Sequence, residues 1–161
     1  MDKLWAPWRI EYVRQPKEKE CIFCTKPQRK DERETLILYR GKQAFVLMNL
    51  YPYSNGHLMV APYQHCDSTE DLKIDTLTEI MTLTNYSMSI LRKTMRVEGF
   101  NFGVNIGRAA GAGIEEHVHY HLVPRWVGDT NYMPILGHTK VIVEGLWETY
   151  DLLKPEFDRL S

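Results

Sequence analysis

Apolar and polar positions fall into two repeats along this chain, one of period two and one of three to four residues. Short β-favouring runs at 35–39, 44–49, 57–62 and 100–105 predict strands. The first two flank Arg40-Gly41-Lys42, which reads as a hairpin turn, and Tyr51 to Gly56 is dense in turn residues. Ile80, Met81, Thr84, Met88, Leu91 and Met95 recur at helical spacing and predict one amphipathic helix that ends near Gly99, its methionines in the core. Its start is signalled by cap residues at 67–71 or by Asp75. Leu146, Trp147, Tyr150 and Leu153 predict a closing helix over 143–153. The stretches 27–34, 107–113 and 127–137 read as loops. The order implies an α+β fold: an antiparallel sheet of about five strands, with one main helix between its halves and a C-terminal helix.

The last strand is the informative one. In His117-Val118-His119-Tyr120-His121-Leu122, alternation places three histidines on one face and Val118, Tyr120 and Leu122 on the other. The apolar set can be buried, which holds the imidazoles in fixed positions. Pro124 is expected to end the pattern, since it cannot donate to a ladder.

Composition narrows the class. A length of 161 residues suits a single domain, 1–161, with residues 1–20 forming an aromatic extension packed on it through Trp5, Trp8 and Tyr12. Lys and Arg number 20 against 21 Asp and Glu, so no global field draws nucleic acid or a membrane surface, and an anionic ligand must be caught locally. No signal-peptide run or membrane span is seen, and a cytoplasmic location is expected. Three cysteines make no disulfide framework; Cys21-Ile22-Phe23-Cys24 reads as metal ligands in a loop, or as a redox pair. His138 reads as a surface residue.

Imidazole titrates near neutrality, so one ring on the histidine wall can act as nucleophile or general base, and His119, flanked on both sides, is the candidate. Gly107, Gly111 and Gly113 stand directly before it, where backbone N–H groups could converge on an anion. The loop has no P-loop ending and no acidic pair for magnesium accompanies it.

These residues resemble the histidine triad family, whose mark is His-x-His-x-His followed by apolar residues, here His117 to Val123. Asn49, then Gly56-His57-Leu58-Met59-Val60-Ala61-Pro62 seven positions on, and then His65, are similar to the family as well. Trp5-Ala6-Pro7-Trp8-Arg9, Gly111 to Ile114, Val123-Pro124-Arg125-Trp126 and Asp129 to Pro134 resemble the bacterial branch that includes diadenosine tetraphosphate phosphorylases. The resemblance implies that His119 attacks the α-phosphorus of a nucleotide to form a covalent nucleotidyl-histidine, which water or phosphate then opens. It implies that the His117 carbonyl orients His119, that His121 and His57 contact phosphate or brace the ring, and that Asn49 lies near the ribose. Asn105 and the backbone of Gly111, Ala112, Gly113 and Ile114 would line the phosphates, and the chain would be a homodimer with sheets joined edge to edge. Cys21 and Cys24 are half of a four-ligand set that His65 and His117 could complete, and some family members share this arrangement. A closed, structural zinc site is the implied result, with Cys66 a bystander or an alternative ligand. Many family hydrolases carry Gln and Ser where Gly113 and Ile114 stand here. That difference leaves hydrolysis in question and favours phosphate as acceptor. A phosphoramidate hydrolase and a nucleotide-binding protein without activity are the alternatives.

Overall fold

The computed structural model describes residues 20–129 and 144–160. The aromatic N-terminus, most of the charged run after it, the irregular stretch from residue 130 onward and His138 lie outside the described residues.

The described residues form five strands: β1 (Ile37–Arg40), β2 (Ala44–Met48), β3 (Leu58–Pro62), β4 (Gly99–Val104) and β5 (Tyr120–Arg125). They make one antiparallel sheet in the order β1-β2-β3-β5-β4, so the last strand inserts between two earlier ones. Four α-helices accompany it: α1 (Ile22–Thr25), α2 (Glu32–Thr35), α3 (Ile74–Met95) and α4 (Leu146–Asp158). The architecture is the expected α+β one.

Alternation along the central strands divides the core in two. Val46, Met48, Leu58, Val60, Tyr120 and Leu122 face α3 and α4, where Ile80, Leu83, Leu91, Leu153 and Phe157 close the larger cluster. Phe45, Leu47, Met59 and Ala61 take the other face with Phe23. That second face carries the histidines.

Several expectations are corrected. The stretch read as a loop at 27–34 contains a 3₁₀ turn (Lys26–Gln28) and most of α2, and Thr35 ends that helix rather than starting a strand. The Asp31 carboxylate caps α2 by accepting from the Glu34 N–H, a local bond that outweighs the charge-rich composition. The CxxC is not in a loop: Cys21 is the N-cap of α1 and Cys24 lies within it. Helix α3 begins at Ile74 behind Lys73; Asp75 sits in its first turn, where a negative charge favours the helix dipole, and Ser68 caps a separate 3₁₀ turn at Thr69–Asp71.

Met81, placed in the core by periodicity, is 45% exposed, while Thr84 and Ser87 are fully buried. Their hydroxyls donate to the Ile80 and Leu83 carbonyls at 2.8 and 2.7 Å, so each polar atom is satisfied within its own helix. Helix α4 continues through Pro155 to Asp158, a run that buries Phe157 completely. Pro124 does not end β5; it pairs with Phe100 of β4. On its other side β3 pairs only as far as Leu122, so no neighbour there requires the missing N–H.

Gly56 turns the chain into β3 with φ +68°, and a Cβ there would lie 2.9 Å from Met95 Sδ and 3.2 Å from Leu91 Cδ2. A Gly56→Ala change is expected to cost about 2 kcal/mol through backbone strain and contact with α3, read as a lower urea midpoint at unchanged slope.

Candidate active site

The sheet brings the histidines together from two strands. His121 lies in β5 opposite Met59 of β3, and His57 precedes β3 at the same end. His117 and His119 come before the first paired residue of β5, yet the alternation persists: Val118, Tyr120 and Leu122 belong to the larger core, and the three imidazoles share the opposite face. The Val118 N–H donates to the Cys66 carbonyl at 2.7 Å, which extends the pairing beyond the ladder.

Partners set the proton on each ring. The Tyr53 N–H donates to His57 Nδ1 at 3.1 Å, so His57 carries its proton on Nε2. That Nε2–H donates to His121 Nδ1 at 3.0 Å, and the His121 proton then sits on Nε2 and is available as a donor. His119 is arranged the other way. Its Nδ1–H donates to the His117 carbonyl at 2.8 Å, and its Nε2 lone pair stays unprotonated. His117 Nε2–H donates to the Pro62 carbonyl at 2.9 Å, which leaves Nδ1 as a ligand atom.

Burial favours the neutral form of His117, His119 and His121. His57 and His117 are fully buried and His119 is 5% exposed. Burial pushes the His119 pKa below its usual value, against the opposing bond to the His117 carbonyl. His121 is pushed down to about 4 by burial first and by His119 second. A neutral, oriented imidazole beside a neutral donor is the form suited to attack on an electrophilic phosphorus.

Below the triad lies a second cluster. Cys21 Sγ is 3.3 Å and Cys24 Sγ 3.6 Å from His117 Nδ1, while His65 Nδ1 is 3.3 Å from both Cys24 Sγ and His117 Nδ1. The four donor atoms lie within 4.8 Å of one another. A tetrahedron with metal–nitrogen and metal–sulfur bonds of about 2.0 and 2.3 Å has edges of roughly 3.3–3.8 Å, and the four separations of 3.3 to 3.6 Å match them, so the donor set suits a closed cation site. Burial, and then Cys21, push the Cys24 thiol up to about 11, a protonated state that a bound divalent cation would reverse. Cys66 stands apart; its Sγ faces the Ser68 carbonyl at 3.6 Å.

Asn49 approaches the triad through His57: its Nδ2 is 3.4 Å from His57 Nδ1, and its Oδ1 accepts from the Tyr51 N–H at 2.9 Å. Asn105 follows directly on β4, whose Gly103 and Val104 pair with His121 and Tyr120, so the loop that holds Gly111 to Gly113 starts at the histidine end of the sheet. Gly107 and Gly111 adopt φ +77° and +81°, and nothing lies within 4 Å of where a Cβ would stand on either. Ile114, beyond them, packs against the Phe23 cluster.

Three contributors escaped the sequence reading. Tyr53 supplies its backbone N–H, and its ring stands 4.6 Å from His57 and 5.9 Å from His121. Pro62 supplies a carbonyl, which no side-chain pattern reveals. Phe23 stacks on His119, and its only signal in the sequence is an aromatic residue between two cysteines.

Residues 30–127 match the family model for the HIT domain. The chain is 39% identical over 168 aligned residues to a Mycobacterium tuberculosis protein named AP-4-A phosphorylase, covering 99% of this chain and 86% of that one. A hypothetical histidine triad nucleotide-binding protein from Sulfolobus tokodaii shares the fold with a TM-score of 0.68 at 24% identity, over 87% of this chain and 93% of that one. A Zn-bound histidine triad family protein from Mycobacterium smegmatis superimposes with a TM-score of 0.64 at 22% identity, over 78% and 85% of the two chains.

Proposed function

Since the chain belongs to the HIT domain family, we propose that it is a nucleotidyl-transferring enzyme that splits dinucleoside polyphosphates, diadenosine tetraphosphate first among them. The observation that carries the reading is the outward Nε2 lone pair of His119, fixed by the Nδ1–H bond to the His117 carbonyl.

In the proposed reaction His119 Nε2 attacks an α-phosphorus. The bond from that phosphorus to the bridging oxygen breaks, ATP leaves, and AMP remains joined to His119 by a P–N bond. His121 Nε2–H, held in place by His57, donates to a non-bridging oxygen as negative charge grows in the transition state. Asn49 contacts the ribose, and Asn105 with the backbone of Gly111, Ala112, Gly113 and Ile114 lines the phosphate chain. In the second step phosphate attacks the same phosphorus, the P–N bond breaks and ADP leaves. With Gly113 in place of a bulky polar side chain, room for phosphate is the reason to prefer it over water.

Cys21, Cys24, His65 and His117 would hold zinc, which supplies structural cross-linking because all four positions of a tetrahedron are taken by protein. The assembly proposed is a cytoplasmic homodimer joined through β4, which among the described residues has a neighbour on one side only and leaves Phe102 36% exposed. Among the described residues no helix is long and apolar enough to cross a membrane.

The test is a product assay. Diadenosine tetraphosphate with inorganic phosphate is expected to give ADP and ATP in equal amounts. AMP and ATP at the same rate with and without phosphate would make water the acceptor, and no turnover would sink the reading.

A further inference from the structure

The reaction above leaves Phe23 without a part. The side chain is 1% exposed and sits between two of the four clustered donors, Cys21 and Cys24. Its ring stacks on His119, with centroids 4.6 Å apart and planes 29° from parallel, and tilts against His117 at 5.2 Å and 42°. Among the described residues His119 makes one ring hydrogen bond, at Nδ1. A single bond fixes a point and leaves the ring free to swing, with Nε2 on the far edge moving most. Phe23 supplies a flat wall on one face, and His121 meets the ring edge-on at 4.9 Å and 69°.

Phe23 in turn depends on its neighbours. Helix α1 is one turn long and closes on the Cys21 carbonyl, which accepts from the Cys24 and Thr25 N–H groups at 3.0 Å each. Four residues cannot hold a helix by themselves. Phe23 packs with Ile37, Phe45, Leu47, Met59 and Ala61, and the approach of Cys21 and Cys24 to His65 and His117 fixes the turn on either side of it over the triad.

Resting on the nucleotidyl-transfer reading, we propose that Phe23 is a positioning residue that passes metal occupancy to the aim of His119 Nε2. A cation on the two cysteines holds the turn down, the turn presses Phe23 against His119, and the nucleophile points at phosphorus. Loss of the cation loosens the wall and leaves the ring without its second support. Substrate contacts stay as they were.

The experiment compares zinc-loaded wild type, chelator-stripped wild type, and zinc-loaded Phe23→Leu and Phe23→Tyr, with zinc content measured on each. Two readouts are taken: kcat and KM separately on diadenosine tetraphosphate with phosphate, and the ring-nitrogen NMR signals of His119. Phe23→Leu is expected to keep its zinc and a KM within about twofold of wild type, while kcat falls by about tenfold through misplacement of the attacking atom. Phe23→Tyr, which keeps the flat face, is expected to restore kcat. The loaded wild type should show one fixed Nδ1–H ring, and the stripped wild type and Phe23→Leu should show averaged signals. A raised KM at unchanged kcat in Phe23→Leu would make Phe23 a substrate contact and overturn the proposal, as would a fixed ring in every form. Absence of turnover in the loaded wild type would fail the reaction instead, and the ring signals would still decide the positioning.

Discussion

Replacing His119 by alanine is expected to lower kcat/KM for diadenosine tetraphosphate by at least about 10⁴-fold, because among the four triad-wall rings His57, His117, His119 and His121 it is the one proposed to form the covalent intermediate. His121 Nδ1 is occupied by His57, and its Nε2 carries a proton, so its ring offers no free lone pair. His57 is fully buried, with Nδ1 taken by the Tyr53 N–H, and His117 uses Nε2 on the Pro62 carbonyl. The variant should fold, since the strand alternation that buries Val118, Tyr120 and Leu122 does not involve residue 119. Substrate should still bind. Mass spectrometry after a brief incubation should show a protein heavier by one AMP in wild type and none in the variant. A variant that still becomes adenylylated would assign the nucleophile elsewhere.

Removal of the proposed metal is expected to be the second large effect. The donor atoms of Cys21, Cys24, His65 and His117 draw three distant segments to one point, and His117 is fully buried. A cation bound at 1,000 times its dissociation constant adds about 4 kcal/mol to the folded state. In a domain of this size that corresponds to roughly 10 °C in Tm. Chelation, or a Cys24→Ser change, is therefore expected to lower Tm by roughly 10 °C, with the metal found at one per chain beforehand by elemental analysis. An unchanged Tm together with a metal-free preparation would remove zinc from the account.

The sheet and the triad were legible because period-two patterning is a direct image of which face is buried. Alternation put His117, His119 and His121 on one wall and Val118, Tyr120 and Leu122 in the core, as found. What the pattern could not convey was local. Ser87 looks polar in the sequence and is a core residue, because a hydroxyl that bonds back to its own helix costs little to bury. Pro124 looks like a terminator, although a strand with one neighbour at that point tolerates it. The rotation of each imidazole depends on backbone atoms of Tyr53, Pro62 and His117, which every residue type carries equally. Composition is therefore blind to them. The wall that Phe23 provides is hidden for a related reason: 96 residues separate it from His119, and only the fold brings the two rings together.

The strand order has a consequence for how such a molecule is made. β4 leaves the ribosome before β5, yet among the described residues of its own chain it pairs with β5 alone, and β3 also waits for β5 on its open side. Until residue 125 is out, a nascent chain can form no more than a three-stranded meander with a stray fourth segment. The strand that then joins the two halves also carries the proposed nucleophile, so completion of the sheet and arrival of that histidine are one event. Prematurely terminated products would be both inert and sticky along two unpaired edges, which marks them for disposal.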